Sequence, residues 1–201
     1  PYEALFQLKS LHLPFSDIFR YKMLYEKGGY WVDLDMICLK KLQFKEPYVF
    51  SSEKTIQTGM YRNRKGTETP NIGVLKAPRK SKFYKEVFQA CIKETDKKIK
   101  KNIQFMVILK NYITKYNFEK YVKEPIYFCP LNWWHTKDAF YPPCCREKYG
   151  TESYNIQDLL NSNKVYTIHM WRSIMKNRHK INPNDKFNKN SLWEILRKKY
   201  L

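Results

Sequence analysis

The sequence predicts an α/β protein, because segments with helical and strand-like patterns alternate along the chain. Apolar residues recur at helical spacing before the Gly28-Gly29 pair, and an aromatic and β-branched run, Tyr30–Leu39, follows directly. A further helix signal closes the chain, where Ser191 and Glu194 match a capping box. With 201 residues, of which 16% are aromatic, the chain suits one domain with a packed core.

The first helix and the strand after it have the clearest local signals. Ser16 is a good N-cap, and Asp17 places negative charge where a helix N-terminus favours it. Lys27 closes the last turn, and Gly28 supplies the left-handed residue that ends many helices. We therefore expect a helix from Ser16 to Lys27 and then a buried strand over Tyr30–Leu39.

The later elements are predicted from the same apolar spacing and from Gly and Pro breaks. In chain order they are a short strand over Tyr48–Ser51, a loop or irregular hairpin over Glu53–Pro70, a strand over Asn71–Leu75, helices over Ser81–Thr95 and Asn102–Tyr116, a strand over Ile126–Pro130, a loop over Asn132–Tyr149, a helical turn over Asp158–Asn163, a strand over Val165–Trp171 and the C-terminal helix.

The charge of the chain limits its partners. Lys and Arg number 38 against 19 Asp and Glu, a formal net charge of +19. This excess favours phosphates, acidic glycans, nucleic acid or an anionic membrane face. The six glycines form neither a G-x-G-x-x-G motif nor a Walker loop, which excludes the usual dinucleotide and P-loop sites.

The termini and cysteines add weaker expectations. No apolar stretch approaches the roughly 20 residues that a membrane span requires. The chain begins at Pro1 without a signal segment, so we expect it to be part of a longer protein. The five cysteines form no C-x-x-C pair, so the usual zinc spacing is absent. A disulfide from Cys129 to Cys144 or Cys145 and unmodified thiols both remain open.

Two carboxylates inside the predicted strand are a physical anomaly. Asp33 and Asp35 stand in the apolar run, and residues two apart on a strand point to the same face. Two like charges in a poorly hydrated place cost several kcal/mol unless a cation or hydrogen bonds compensate. A divalent metal with oxygen ligands is the economical solution.

The preceding helix adds two charged residues to the same region. Asp17 and Arg20 are three apart and therefore lie on one helix face. The Gly28-Gly29 turn folds this helix back toward the strand, so the four side chains can converge. The alternative is an ordinary surface ion pair on the helix, worth a few tenths of a kcal/mol.

The residues from Ser16 to Asp35 resemble a known family. The combination S-D-x-x-R, then G-G, then D-x-D closely resembles the sugar-binding region of D-x-D glycosyltransferases of family 32. These include yeast mannosyltransferases, α-1,4-galactosyltransferases and capsular polysaccharide enzymes. More loosely, Tyr166–Trp171 resembles their late H-x-W element, and Pro125–Trp134 the segment before it.

The resemblance implies a GT-A fold, a twisted and mainly parallel sheet with the donor site at the strand ends. It implies that the N-terminal nucleotide-binding region is partly missing, because Asp33 comes early in the chain. It also implies roles for eight residues. Asp17 and Arg20 would contact the donor sugar, Asp33 the ribose and the metal, and Asp35 would ligate Mn²⁺ or Mg²⁺. His169 would be a further metal or diphosphate ligand, and Trp171 would lie near the leaving phosphate. Asn71 would lie in the region of the sugar pocket, and Trp31, which replaces a common Tyr, would alter donor contacts.

The function implied is metal-dependent transfer of a sugar from a UDP- or GDP-sugar to a saccharide, a lipid-linked acceptor or another hydroxyl, with retention. Arg172, Lys176 and Arg178 are candidates for diphosphate contact or plain basic surface. A non-enzymic nucleic-acid or polyanion-binding domain is the alternative, although no RNA- or DNA-binding signature appears. An inactive relative or a glycosidase remains a further alternative.

The charge also allows attachment to an anionic membrane. An anchor preceding the chain would place the protein in a Golgi-type or membrane-associated setting; otherwise we expect a cytoplasmic protein.

Overall fold

The computed structural model of the protein describes residues 12–55, 67–97, 105–141 and 155–201. In chain order the helices and strands of these ranges are α1 (His12–Lys27), β1 (Gly29–Val32), β2 (Met36–Cys38), β3 (Val49–Thr55), β4 (Thr67–Ala77), α2 (Lys82–Lys97), α3 (Phe105–Lys115), α4 (Pro125–Phe128), α5 (Ile156–Asn161), β5 (Thr167–His169), α6 (Arg172–Asn177) and α7 (Leu192–Tyr200). This mixture of helices and strands agrees with the predicted α/β class. None of the described helices has both the length and the apolar character needed to cross a bilayer.

The chain divides into two compact units, each with its own hydrophobic core. Unit 1 comprises Pro1–Val32, Phe44–Phe50 and Pro70–Val122. Unit 2 comprises Asp33–Gln43, Ser51–Thr69 and Lys123–Leu201. That residues 1–201 form one catalytic domain stays a prediction.

The core of unit 1 is built from the apolar faces of its helices. Helix α1 buries Ile18, Tyr21 and Leu24, and α1 packs on α2, where the rings of Tyr21 and Tyr84 lie 6.0 Å apart. Helix α3 buries Phe105, Leu109 and Ile113, which recur every four residues. This is the spacing that places side chains on one helix face, so the helical periodicity of the sequence is confirmed.

A three-stranded sheet has the order β1-β4-β3. Strand β1 pairs antiparallel with β4, from Gly29 opposite Ala77 to Val32 opposite Val74. Strand β4 is longer than the predicted Asn71–Leu75 strand and ends directly before Pro78, which cannot donate to a ladder.

Unit 2 is organised around a short antiparallel pair. Strand β2 pairs with β5, with Met36 opposite His169 and Cys38 opposite Thr167. Around this pair lies a core whose buried members include Leu131, Phe140, Ile168 and Leu196. The β1–β4 and β2–β5 pairs are antiparallel, and an isolated parallel bridge in unit 1 joins Phe50 to Val122. The mainly parallel sheet that the resemblance implies stays a prediction.

The predicted single strand over Tyr30–Leu39 is wrong. The run is two strands, β1 and β2, which belong to different sheets and are separated by a turn at residues 33–35. Leu34 is fully exposed at the tip, and the Met36 N–H donates to the Asp33 carbonyl at 3.1 Å. A turn lets two carboxylates reach water, which an uninterrupted buried strand would not.

Other predicted elements change at their ends or in type. Helix α1 begins at His12 rather than after Ser16, because Pro14 is tolerated in a first turn. The predicted strand over Ile126–Pro130 is instead helix α4, which Pro125 opens with its preset φ. The predicted loop over Asn132–Tyr149 contains two 3-10 turns in its described part, Trp133–His135 and Lys137–Ala139.

The C-terminal helix is confirmed, with a partial capping box. The Ser191 hydroxyl accepts the Glu194 N–H at 3.2 Å, as predicted. The Glu194 carboxylate does not return to Ser191. It accepts the Phe187 N–H at 3.2 Å and pairs with Arg197 at 2.8 Å.

Candidate functional site

The D-x-D carboxylates lie in the turn that joins β1 to β2. Both Asp33 and Asp35 are half-buried. Asp33 opens the turn, and Asp35 closes it one residue before β2. Their placement on one face of a strand is therefore wrong, but both remain in a short segment that the adjoining strands hold at either end.

Asp35 is fixed by residues far away in the chain. Its Oδ2 accepts a hydrogen bond from His169 Nε2 at 3.2 Å and another from the Arg172 N–H at 2.9 Å. The Asp35 carbonyl accepts the Met170 N–H at 2.9 Å. Since the β2–β5 ladder sets Met36 opposite His169, strand pairing is what brings the carboxylate to the imidazole.

These hydrogen bonds keep Asp35 ionised. Burial raises the pKa of the Asp35 carboxyl, but the bonds from His169 and from the Arg172 N–H outweigh burial and hold that pKa below its ordinary value. Both bonds go to Oδ2. Oδ1 accepts neither of them.

His169 and Trp171 form a rigid pair. Their rings stack with centroids 3.8 Å apart, and the Trp171 indole N–H donates to the Leu131 carbonyl at 2.7 Å. The Cys129 thiol lies 3.9 Å from His169 Nδ1 on the other side of the ring. Trp171 has a left-handed backbone (φ 51°, ψ 50°), a strained conformation for a bulky residue that is found preferentially at functional sites. We call Asp35, His169, Trp171 and the Arg172 N–H the carboxylate–histidine cluster.

A second group of predicted site residues gathers in unit 1. Arg20 is 5% exposed, and its guanidinium contacts Asp17 at 3.1 Å, the Ile72 carbonyl at 2.6 Å and the ring of Trp31 at 4.9 Å. The alternative of an ordinary surface pair is wrong for Arg20, because an exposed pair would not bury its guanidinium. We call Asp17, Arg20, Trp31 and the Ile72 carbonyl the arginine cluster.

Asn71 lies directly before Ile72, whose carbonyl accepts a hydrogen bond from the Arg20 guanidinium. Its side chain is 3% exposed, and Oδ1 accepts the Gly73 N–H at 3.2 Å. This short-range hydrogen bond shapes the backbone of β4 beside the arginine cluster. A contact of Asn71 with the donor sugar stays a prediction.

The donor atoms for a metal ion are present in part. Asp35 Oδ2 and His169 Nε2 are 3.2 Å apart, and carboxylate and imidazole are both ligands of Mn²⁺ and related ions. Within the described ranges, no three His, Cys, Asp or Glu side chains come together as a metal-binding group. The three-ligand set of Asp33, Asp35 and His169 stays a prediction.

Sequence reasoning missed three contacts of these clusters. They are the Arg172 N–H, the Cys129 thiol and the Ile72 carbonyl. Two are backbone groups, which no residue type marks. The third depends on packing across about 40 residues, so no local signal could have found it. Cys144 and Cys145, the predicted alternatives for a disulfide with Cys129, lie outside the described residues.

Comparison with known proteins gives one family match, to the N-terminal part of the chain. Residues 1–58 match the model of a family described as the glycosyltransferase sugar-binding region containing the DXD motif. This range includes Asp17, Arg20, Trp31 and both D-x-D carboxylates. No curated protein and no solved structure matches the chain significantly. Residues 1–58 are therefore similar to the sugar-binding region of D-x-D glycosyltransferases, which supports a glycosyltransferase role for the protein.

Proposed function

We propose that the protein transfers a sugar from a UDP- or GDP-sugar to the hydroxyl of a saccharide or lipid-linked acceptor, with a divalent metal and with retention at the anomeric carbon, on a GT-A-type fold. The observation that carries the proposal is Asp35. This D-x-D carboxylate is held ionised and oriented by His169 and by the Arg172 N–H, which both bind Oδ2.

Asp33, Asp35 and His169 are the proposed ligands of Mn²⁺ or Mg²⁺. The pairing of a carboxylate with an imidazole fits such an ion. When bound, the ion would neutralise charge that develops on the departing diphosphate. Ligation by His169 Nε2 would replace the hydrogen bond that this nitrogen makes to Asp35, whereas the Arg172 N–H would still hold Asp35 Oδ2.

The arginine cluster has a separate task in this proposal. Asp17 keeps a partly exposed carboxylate, because 20% of its side chain is accessible. Carboxylates are suitable acceptors for sugar hydroxyls, and a buried guanidinium holds this one in a fixed place. Arg20 therefore positions Asp17 for the donor sugar.

Sugar transfer exchanges one bond at the anomeric carbon for another. The bond from the anomeric carbon to the diphosphate oxygen breaks, and a bond to the acceptor oxygen forms on the same face. The nucleoside diphosphate leaves with the electron pair, and the acceptor proton leaves with it. Ordered side chains lower the barrier mainly by holding charge and orientation in place before the reaction.

The test is hydrolysis and transfer of UDP- and GDP-sugars with and without Mn²⁺. The variant is Asp35→Asn, which keeps the shape of the side chain and removes its charge. We expect a loss of about 100-fold in donor turnover. Asp158→Asn, an exposed position on α5 of the same unit, is the matched control and should keep parental turnover. Metal-dependent turnover at the parental rate in Asp35→Asn would refute the proposal.

A further inference from the structure

We propose that a cationic pocket beside helix α6 binds the negatively charged group of an anionic saccharide acceptor, carrying either phosphate or carboxylate. The pocket has a volume of about 540 Å³, within the range of small-molecule sites. It is lined by Arg172, Met175, Lys176, Asn177, Lys180, Ile181, Asn182, Pro183 and Asn184. As an acceptor site it rests on the proposed transferase function, but its choice of ligand is tested without turnover.

The charge of the lining selects an anion. Three of the nine lining residues are cationic, and none is acidic. Arg172 and Lys176 are four apart on α6 and therefore share a helix face. Among the described residues, no carboxylate forms a salt bridge with Arg172, Lys176 or Lys180. Their positive charge is therefore available to a ligand.

The rest of the lining suits a saccharide. Three asparagines line the pocket and carry amide donors and acceptors of the kind that hydroxyl groups need. Of these groups, Asn177 Nδ2 already donates to Ser173 Oγ, and Asn182 Oδ1 already accepts the Asn184 N–H. Met175 and Ile181 are buried apolar members of the lining. This combination of a few polar groups around an apolar surface is typical of small-molecule sites.

The pocket wall is fixed before any ligand binds. The Ile181 N–H donates to the Met175 carbonyl at 3.1 Å, and the Trp193 indole donates to the Pro183 carbonyl at 3.1 Å. Lys180 has a left-handed backbone (φ 55°), which is uncommon for a lysine. The surrounding structure must impose this backbone conformation, because a lysine does not adopt it from local preference alone.

The pocket adjoins the carboxylate–histidine cluster through one residue. The Arg172 N–H binds Asp35 Oδ2, while the Arg172 side chain lines the pocket. An anion held there therefore lies beside the residue whose N–H orients the D-x-D carboxylate. In this proposal the donor binds on the Asp35 side of Arg172, and the pocket takes the second substrate.

The experiment measures the affinities of glucose 6-phosphate, glucuronate, inorganic phosphate and glucose by calorimetry in metal-free, low-salt buffer. We expect the better of the two charged sugars to bind the parent about tenfold more tightly than glucose, as one charge-assisted hydrogen bond allows. The two sugars separate a phosphate acceptor from a carboxylate acceptor.

Two double variants locate the effect. Lys176→Gln with Lys180→Asn should abolish the preference, and Asn at 180 tolerates the left-handed backbone. Lys198→Gln with Lys199→Gln, exposed on α7, removes the same charge elsewhere in the unit and should retain it. Circular dichroism confirms folding of each variant.

Three results would overturn the pocket. They are no preference in the parent, an equal loss in the α7 control, and inorganic phosphate binding as tightly as glucose 6-phosphate. Donor turnover is measured on the same samples. Turnover without a charged-sugar preference refutes the pocket alone, and the preference without turnover refutes the transferase proposal alone.

Discussion

The two clusters differ in how far along the chain their contacts reach. In the arginine cluster, Asp17 and Arg20 are one helical turn apart, and the longest contact, to Ile72, spans 52 residues. In the carboxylate–histidine cluster, Asp35 receives hydrogen bonds from residues 134 and 137 positions away. The first cluster therefore depends mainly on one helix, and the second on the pairing of two short strands.

This comparison predicts different costs when each cluster loses its central group. Arg20 is a buried cation, so its removal leaves Asp17 and the Ile72 carbonyl without their charged partner. Asp35 also accepts the Arg172 N–H, so removal of His169 leaves that hydrogen bond in place. The effect should be on stability in the first cluster and on ligand binding in the second.

The largest effect is expected from Arg20→Ala. Breaking a buried ion pair from one side costs about 3 kcal/mol in the free energy of unfolding. Urea denaturation measures this cost. Arg79→Ala is the matched control, since Arg79 is exposed and donates to the Glu26 carbonyl at 3.2 Å, and it should cost less than about 1 kcal/mol. Equal costs for the two variants would contradict the burial argument.

His169→Ala should come next. Losing the imidazole weakens the hold on Asp35 and removes a proposed metal ligand, and we expect an apparent Mn²⁺ affinity about 30-fold lower, equivalent to about 2 kcal/mol. The pKa of Asp35 should rise, because the His169 hydrogen bond lowers it in the parent. Metal titration by tryptophan fluorescence and a carboxyl titration by NMR measure the two effects. An unchanged Mn²⁺ affinity would separate His169 from the site.

The sequence predicted the first cluster better for a physical reason. A helix has a fixed period, so the positions of Asp17 and Arg20 alone place them on one face. The sequence also marked Gly28 as the helix end, which its φ of 68° confirms. Burial of the guanidinium could not be predicted, because it depends on β4.

The second cluster was predicted in residue types but not in geometry. The resemblance to D-x-D enzymes pointed to Asp35, His169 and Trp171. However, the predicted strand ran through the turn, because residues that favour strands (Tyr, Trp, Val and Ile) flank the carboxylates. Which strand partners which is set by tertiary packing, and local propensity carries no information on it.

Substitution of the two glycines that follow α1, the helix that carries Asp17, tests how its C-terminal end is fixed. Both Gly28 and Gly29 have positive φ, so alanine is strained at either position. A Cβ on Gly28 would also come within 2.5 Å of the Arg79 backbone nitrogen, whereas a Cβ on Gly29 meets nothing within 4 Å. We expect Gly28→Ala to cost about 2 kcal/mol and Gly29→Ala about 1 kcal/mol by urea denaturation. Equal costs would show that the backbone at Arg79 yields to the new methyl group.

The smallest effect is expected from a local interaction in unit 2, the N-cap of helix α7. Ser191 is buried and caps α7 by accepting the Glu194 N–H, so Ser191→Ala should cost about 1 kcal/mol in the free energy of unfolding. Ser173→Ala, at an exposed hydroxyl on α6, serves as the control and should change stability by less than half as much. Since α7 lies outside both clusters, donor turnover at a temperature well below unfolding should remain parental. A loss of turnover in Ser191→Ala would show that the geometry of the carboxylate–histidine cluster depends on the stability of the whole of unit 2. The strand pairing that holds Asp35 would then depend on α7 more than the contacts of Asp35 indicate.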